Sequence, residues 1–251
     1  MVYYKPKRKP DSLEKETIAI FNKHNGNYGS RRIKVILNRE GIVTSLRRIC
    51  KILKQNNLEP KYGRRKFARN IYTSKDERYI TENLIRQMIP TTSNQILHTD
   101  FTELKCRDGK LYVSGMIDAY DKTVTITVGT NQTNEMVLEN IEMLEVTPQI
   151  LHSDRGSQYT STKLRDYLVK RKIQRSMSAP YCPYENAIIE TFWKTLKTEI
   201  GPMKYFTKHQ ASLVLAYYTN YYNTDRIHSA IGYLTPLQKR TLSFSNLSEN
   251  G

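Results

Sequence analysis

Three cysteines and a single tryptophan stand in 251 residues, and nowhere does an apolar run reach the roughly 18 residues that a membrane-spanning helix needs. Cys50, Cys106 and Cys182 are odd in number, far apart and without a CxxC pair, which speaks against a disulfide framework and for a reducing compartment. The histidines, His24, His98, His152, His209 and His228, are scattered, and none is paired at metal-ligand spacing near two cysteines, so a zinc site is unsupported. Met1 to Pro10 carries Lys5, Lys7, Arg8 and Lys9 with no apolar segment behind them. No secretory leader is expected, and the cytoplasm is the expected location.

What the chain has in excess is positive charge, and it is unevenly spread. Residues 1–90 hold 22 Lys and Arg against 8 Asp and Glu, while residues 91–251 hold 18 against 16. A polyanion is the natural partner of the first third, because Lys and Arg that neutralise phosphates supply much of the affinity for DNA.

That basic third reads as helical. Ser12 to His24, with Leu13, Ile18, Ile20 and Phe21, fits one helix ended by Asn25-Gly26. A second fits Ser30 to Arg39, with Ser30 as N-cap, Ile33, Ile36 and Leu37 on one face, and Arg31, Arg32 and Lys34 elsewhere. After Gly41-Ile42-Val43, Thr44 or Ser45 caps a third helix reaching about Asn56. Its buried stripe is Leu46, Ile49, Ile52 and Leu53, and Arg47, Arg48, Lys51 and Lys54 fall opposite. Residues 1–60 thus form a helix-turn-helix whose basic second helix suits either base reading in a major groove or plain phosphate contact. Residues 61–90 read as a basic linker with a helix. Lys61 to Arg69, with Arg64, Arg65 and Lys66 at its centre, is a solvated linker or a DNA-tracking arm, and Lys75 to Met88 is amphipathic.

After Pro90-Thr91-Thr92-Ser93 the period changes to that of strands. Gln95 to Leu104, Lys110 to Ile117 and Thr123 to Val128, joined by short turns, make an antiparallel meander. A helix around Asn134 to Glu145, a strand around Gln149 to Ser153, a helix around Ser161 to Lys172 and a long helix from about Glu185 to Ile200 complete an α/β core over 91–205, followed by a helical segment and polar tail over 206–251.

Asp100 sits inside one apolar run and Asp154 ends another, each just after a His-Ser/Thr pair. A strand carboxylate must be solvated, paired or bound to a cation. Either Asp alone reads more readily as a turn or cap. Glu190 opens the amphipathic run AIIETFWKTLKTEI and shares a face with Lys194 and Lys197. Spacing alone fits both a metal ligand beside phosphate contacts and an ordinary salt-bridged face.

The combination resembles a known group. An Asp on the first strand, HSDRGSQY around a second, a Glu separated from that Asp by 35 residues and Lys197 seven further resemble the catalytic signature of retroviral-integrase-like transposases. More closely, YGSRRIKVILNREGI, NQILHTDFTEL, LYVSGMIDAYDK, ILHSDRGSQYTS, ENAIIETFWKTLKTE and YYNTDRIHSAIGYLTP, in that order, resemble the second-reading-frame transposases of the family-three bacterial insertion sequences. Leu97, Tyr181 and Glu185 depart from that pattern, where Trp, Gly and Asp are usual; the departures concern the loop from Ser176 to Tyr184, not the carboxylates.

The resemblance implies a mixed five-stranded RNase H-like sheet with flanking helices, preceded by a small all-α domain, in which Asp100, Asp154 and Glu190 bind two Mg²⁺ ions, with Mn²⁺ able to substitute. It implies cleavage at the element's terminal inverted repeats and transfer of the freed 3′-hydroxyl to target DNA. Two ends held together imply a homo-oligomer, a dimer or larger. A small protein from the upstream frame is an implied partner. The rivals are a nuclease with the same site but no strand transfer, and a non-catalytic DNA-binding regulator. Among other residues, Glu103, Asp108 and Asp121 read as turn or surface positions, Asp118 as a core support, His98, His152 and Trp193 as packing, and Asn223, Arg226 and His228 as either DNA contacts or braces for the catalytic helix.

Overall fold

The computed structural model describes residues 11–61, 81–179 and 182–248. The chain divides into two compact units, Met1–Arg64 and Arg65–Gly251. Among the described residues no helix is long and apolar enough to cross a membrane.

The first unit is a three-helix cluster of α1 (Ser12–Lys23), α2 (Ser30–Arg39) and α3 (Leu46–Gln55). Asp11 caps α1 by accepting the Glu14 amide at 2.8 Å. The chain leaves α1 through Asn25 and Gly26, both at positive φ. Gly26 also lies so close under Phe21 that a Cβ there would meet the ring at 3.3 Å. Ser30 is not the cap of α2: the capping position is the extended Gly29, with no side-chain cap bond, and Ser30 is the first helical residue. Ser45 does cap α3, accepting the Arg48 amide at 3.2 Å. Ile33, Leu37, Ile49, Ile52 and Leu53 close the core. Leu46 was expected among them and is instead 38% exposed. As the first helical residue it lies at the open end of the stripe.

The segment expected as a helix over Lys75 to Met88 shows, within its described part, only a turn at 84–87. Its backbone is engaged otherwise: the Leu84 amide donates to Ser176 Oγ at 2.9 Å, and the Ile85 amide to Asn83 Oδ1 at 3.0 Å. Arg64, Arg65 and Lys66 lie outside the described residues.

The second unit is built on a five-stranded sheet in the order β3-β2-β1-β4-β5. β1 (Ile96–Cys106), β2 (Gly109–Asp118) and β3 (Val124–Gly129) form the expected antiparallel meander. β4 (Ile150–Ser153) and β5 (Gln174–Met177) add in parallel on the other edge of β1. One face carries α4 (Asn134–Glu142) and α5 (Thr162–Lys170), closed by Leu97, Met116 and Leu151 against Val137, Ile141, Leu164 and Leu168. The other carries α6 (Ala187–Ile200) and α7 (Lys208–Thr224), closed by Leu104, Val113 and Ile117 against Ile189, Phe192, Leu196 and Leu215. A 3-10 turn over Pro183–Asn186 leads into α6, and α8 (Pro236–Ser248) ends the described chain.

Strand alternation sets the site. Leu97 belongs to the α4/α5 face, so His98, Asp100 and Leu104 share the opposite face, toward α6.

Candidate active site

Asp100 lies mid-strand on β1, paired across the ladder with Gly115 of β2. Trp193, a buried residue of α6, donates its indole N–H to Asp100 Oδ2 at 3.1 Å. The missing side chain at 115 is what admits it: a Cβ there would fall 2.4 Å from Trp193 Cη2. A glycine inside a strand often marks a close approach of this kind, and that was the one sequence signal for the pairing. Reading Trp193 as core was correct but incomplete.

Asp154 follows β4 directly, and its Oδ1 accepts the Gly156 amide at 2.9 Å, a tight local turn. Glu190 is in the first turn of α6 and exposed. All three carboxyls are raised. Loss of solvent, then the charges of Asp154 and Glu190, push Asp100 from an ordinary 3.8 to about 7. Asp154 is raised by the protein around it, although its surface stays accessible at the rim. Glu190 is raised by desolvation and by Asp154. The three converge in electrostatic field rather than in contact: among the described residues no three His, Cys, Asp or Glu side chains are close enough to hold a metal ion as they stand. Lys197 is a cation that feels this field. Desolvation lowers its pKa, while Glu103 and Asp100 oppose the shift. Lys194, also exposed, carries no resolved ion pair.

Beneath the carboxylates lies a histidine layer. His98 and His152, partners across β1 and β4, meet edge to face with ring centroids 5.1 Å apart. Burial lowers both to about 4, so they are neutral. His98 Nδ1 pairs with Asn186 Oδ1 at 2.9 Å, and Asn186 Nδ2 donates to the Thr99 carbonyl at 3.2 Å. Asn186 immediately precedes α6, so this bond pair fixes the start of the helix bearing Glu190 to the strand bearing Asp100. His152 is held between Ser176 and Ser178 at 2.9 and 3.0 Å. The packing role read for both histidines is what the structure shows.

The far end of α6 is held by a buried ion pair. Arg226 reaches Glu199 at 2.7 Å through Nη2 and at 3.1 and 3.0 Å through Nε, and Tyr218 donates to the same carboxylate at 3.0 Å. Asn223 exchanges two 2.9 Å bonds with the Val124 backbone. Of the two roles open for these residues, Arg226 fills the bracing of α6, while Asn223 ties α7 to β3 rather than to α6. Asp118 supports the core as expected, taking the Asn94 amide at 2.6 Å and the Tyr120 amide at 2.7 Å. Asp121 is a turn residue but not a surface one: it is fully buried, and Arg240 of α8 reaches it at 2.7 Å. Glu103 is a surface residue paired with Lys110 at 2.8 Å, and Asp108 accepts the Lys208 amide at the start of α7.

In the first unit Arg31, Arg47, Lys51 and Lys54 are exposed. Arg32 is half-buried over the Tyr28 ring and donates to the Asn27 carbonyl at 3.3 Å. Arg48 makes a 2.8 Å ion pair with Asp11.

The chain matches the integrase core domain family over residues 90–183, a second integrase core family over 171–236, and an HTH-like domain over 9–66. It is 33% identical over 236 residues to a transposase for insertion sequence element IS904 of Lactococcus lactis subsp. lactis (strain IL1403), covering 89% of this chain and 91% of that protein. It is 29% identical to the transposase InsF for insertion sequence IS3A of Escherichia coli (strain K12), covering 88% and 79%. Its fold is similar to that of a chain in a simian T-cell lymphotropic virus intasome, with TM-score 0.52, 17% identity, and 89% and 74% of the two chains covered. A DNA-binding helical unit joined to an integrase core of the polynucleotidyl-transferase kind, with relatives of this closeness over nearly its whole length, makes the chain a member of the insertion-sequence transposases, the family-three group included among its relatives.

Proposed function

We propose that Asp100, Asp154 and Glu190 are the catalytic residues of this transposase and together hold two Mg²⁺ ions, with Mn²⁺ able to replace them. The observation that carries the reading is electrostatic: the carboxyls on β1, at the end of β4 and on α6 are all raised by loss of solvent, Asp100 further by Asp154 and Glu190, and Glu190 further by Asp154, with no ion pair among the described residues to offset them. Hard oxygen donors of this charge suit a small divalent cation. Bound there, such cations would lower the pKa of an attacking hydroxyl and offset the charge on a departing 3′-oxygen. The protein's own residues prepare the site. Trp193 steadies one oxygen of Asp100, the Gly156 amide steadies one of Asp154, and Asn186 sets the start of the helix that presents Glu190. Lys197 offers a flexible positive charge for a DNA phosphate beside the scissile bond, with Lys194 between it and Glu190 on the same ridge.

The reaction is cleavage at the element's terminal repeats and joining of the freed 3′-hydroxyl to a second phosphodiester. Arg31, Arg47, Lys51 and Lys54 carry the DNA contact of the helical unit, supplemented by Arg32 and Arg48 and by Arg64, Arg65 and Lys66. The enzyme acts in the cytoplasm on nucleoid DNA, as a dimer or larger assembly, with the small upstream-encoded protein as companion.

The test is cleavage of an end-bearing duplex and strand transfer from a pre-cut end in Mg²⁺, for Asp100→Asn, Asp154→Asn and Glu190→Gln. Each variant should lose both activities by more than about a thousandfold while binding ends within a few-fold of the parent. Near-normal strand transfer in any of them refutes the assignment. Cut products without joined ones from the parent protein would make it a nuclease, and no metal-dependent nicking at all a DNA-binding regulator.

A further inference from the structure

The turn before α3 exposes apolar surface where a soluble helical unit has no internal use for it. Val43 is 90% exposed, more than any other large apolar side chain among the described residues, and Leu46, three residues on, is 38% exposed. Neither is buried in the core, which Ile49, Ile52 and Leu53 close; Leu46 borders that stripe at the open first turn of α3. At about 100° per residue, Leu46, Cys50, Lys54, Arg47 and Lys51 occupy a single arc of about 140°. All five are exposed, and α3 contains no acidic residue. Arg48 falls outside this arc and is turned to Asp11. The surface therefore has an apolar leading edge, Val43 and Leu46, backed by Arg47, Lys51 and Lys54.

Cations without apolar groups would serve phosphates alone, and phosphate contacts position a protein without reading sequence. The apolar edge calls for something else in the same groove. Where the first residues of a recognition helix meet base edges, the apolar group presented in the major groove is the 5-methyl of thymine. We infer that Val43 and Leu46 read thymine methyls in the element's terminal repeat, beside Arg47, so that sequence choice resides in this edge and affinity in the cations behind it. The inference rests on the helical unit being the DNA-binding part of the transposase. A protein partner would match the apolar pair but not the three cations of the arc, which have no ion pair among the described residues.

The experiment uses the full chain and duplexes carrying the terminal repeat of its own element, with each thymine replaced singly by deoxyuridine, which removes the methyl and nothing else. Anisotropy titrations give Kd. At one or two positions uridine should weaken binding about three- to fivefold, the scale of one buried methyl contact, and at those positions Val43→Ala or Leu46→Ala should bind thymine and uridine duplexes equally. Both sites are exposed, and alanine suits a helix start, so folding is not at stake. Arg47→Ala and Lys51→Ala on the unmodified duplex should weaken binding to every sequence. Loss in these two with no uridine effect at any position, or an unchanged thymine-to-uridine ratio in the alanine variants, overturns the methyl reading alone. No loss in Arg47→Ala and Lys51→Ala overturns it together with the placement of DNA on α3.

Discussion

Two sets of acidic side chains share one sheet and are treated in opposite ways. Asp118, Asp121 and Glu199 are buried, and each is matched: Arg240 reaches Asp118 and Asp121 at 3.4 and 2.7 Å, and Arg226 reaches Glu199 at 2.7 Å. Asp100, Asp154 and Glu190 have no ion pair among the described residues; all three are raised by loss of solvent, and Asp154 raises the other two further. A buried acid given a cation and several donors locks its elements together, whereas one left without a cation burdens the fold. Proteins retain that burden where the compensating charge arrives with function. The matched acids hold the C-terminal end of α6 and the β2–β3 turn; the unmatched ones are those of the proposed site.

The strongest way to break this comparison is to unmatch a matched acid. Arg226→Ala leaves Glu199 buried and unpaired and should cost about 3–5 kcal/mol in urea unfolding, part of which Glu199→Gln in the same chain recovers. A loss below about 1 kcal/mol would mean the pair is not holding α6.

Relieving an unmatched acid should have the opposite sign. Asp100, raised from 3.8 to about 7, keeps its proton in the folded state where the unfolded chain has released it. Stability of the metal-free fold therefore falls as pH rises from about 4 to about 7 and stays low above. Asp100→Asn removes that fall. In EDTA the variant should exceed the parent above pH 7, with a ceiling of about 4 kcal/mol, and the gap should close toward pH 4 and narrow when Mg²⁺ is added. Thermal melts across pH decide it, and a gap independent of pH would contradict the assignment.

Smaller effects sharpen the contrast. Trp193→Phe keeps most of the packing and deletes only the donor to Asp100, so strand transfer should drop about tenfold at fixed Mg²⁺ and recover partly at higher metal, with stability within about 1 kcal/mol of the parent. Gly115→Ala, which pushes the indole away, should reproduce the metal dependence. Activity unaffected by Trp193→Phe would leave Trp193 as core alone. At Lys197, Ala and Gln should lower strand transfer from a pre-cut end several-fold while some nicking persists, and Arg should restore more than Gln, because charge is what the position supplies. Equal transfer with all three would make Lys197 a solvated helix residue.

Much of this architecture was legible from pattern. The spans of α1, α2 and α3 and of β1, β2 and β3 follow from period 3.6 and period 2 with caps and glycines at their ends. Failures have local causes. β5, Gln-Arg-Ser-Met, is too short and polar to announce a strand and is one because β4 offers it an open edge. The Lys75 to Met88 pattern carried an amphipathic helix signal, yet the amide at Leu84 is taken by Ser176, far away in sequence. Asp121 reads as a surface turn residue because its partner, Arg240, is over a hundred positions away.

By itself the sequence determined most of the helices and strands and where the positive charge lies, because periodicity, caps and composition act between near neighbours; the three acids stood out only through the resemblance to a known family. Only the tertiary structure decided that Trp193 crosses a glycine to reach Asp100, that Asn186 ties the start of α6 to β1, that Glu199 has its arginine while Glu190 has none among the described residues, and that Leu46 is partly exposed. Those facts depend on β4 adding in parallel to β1 and on α6 lying over the opposite face of the sheet from α4 and α5. Such contacts are made between residues distant along the chain, and no local pattern specifies them.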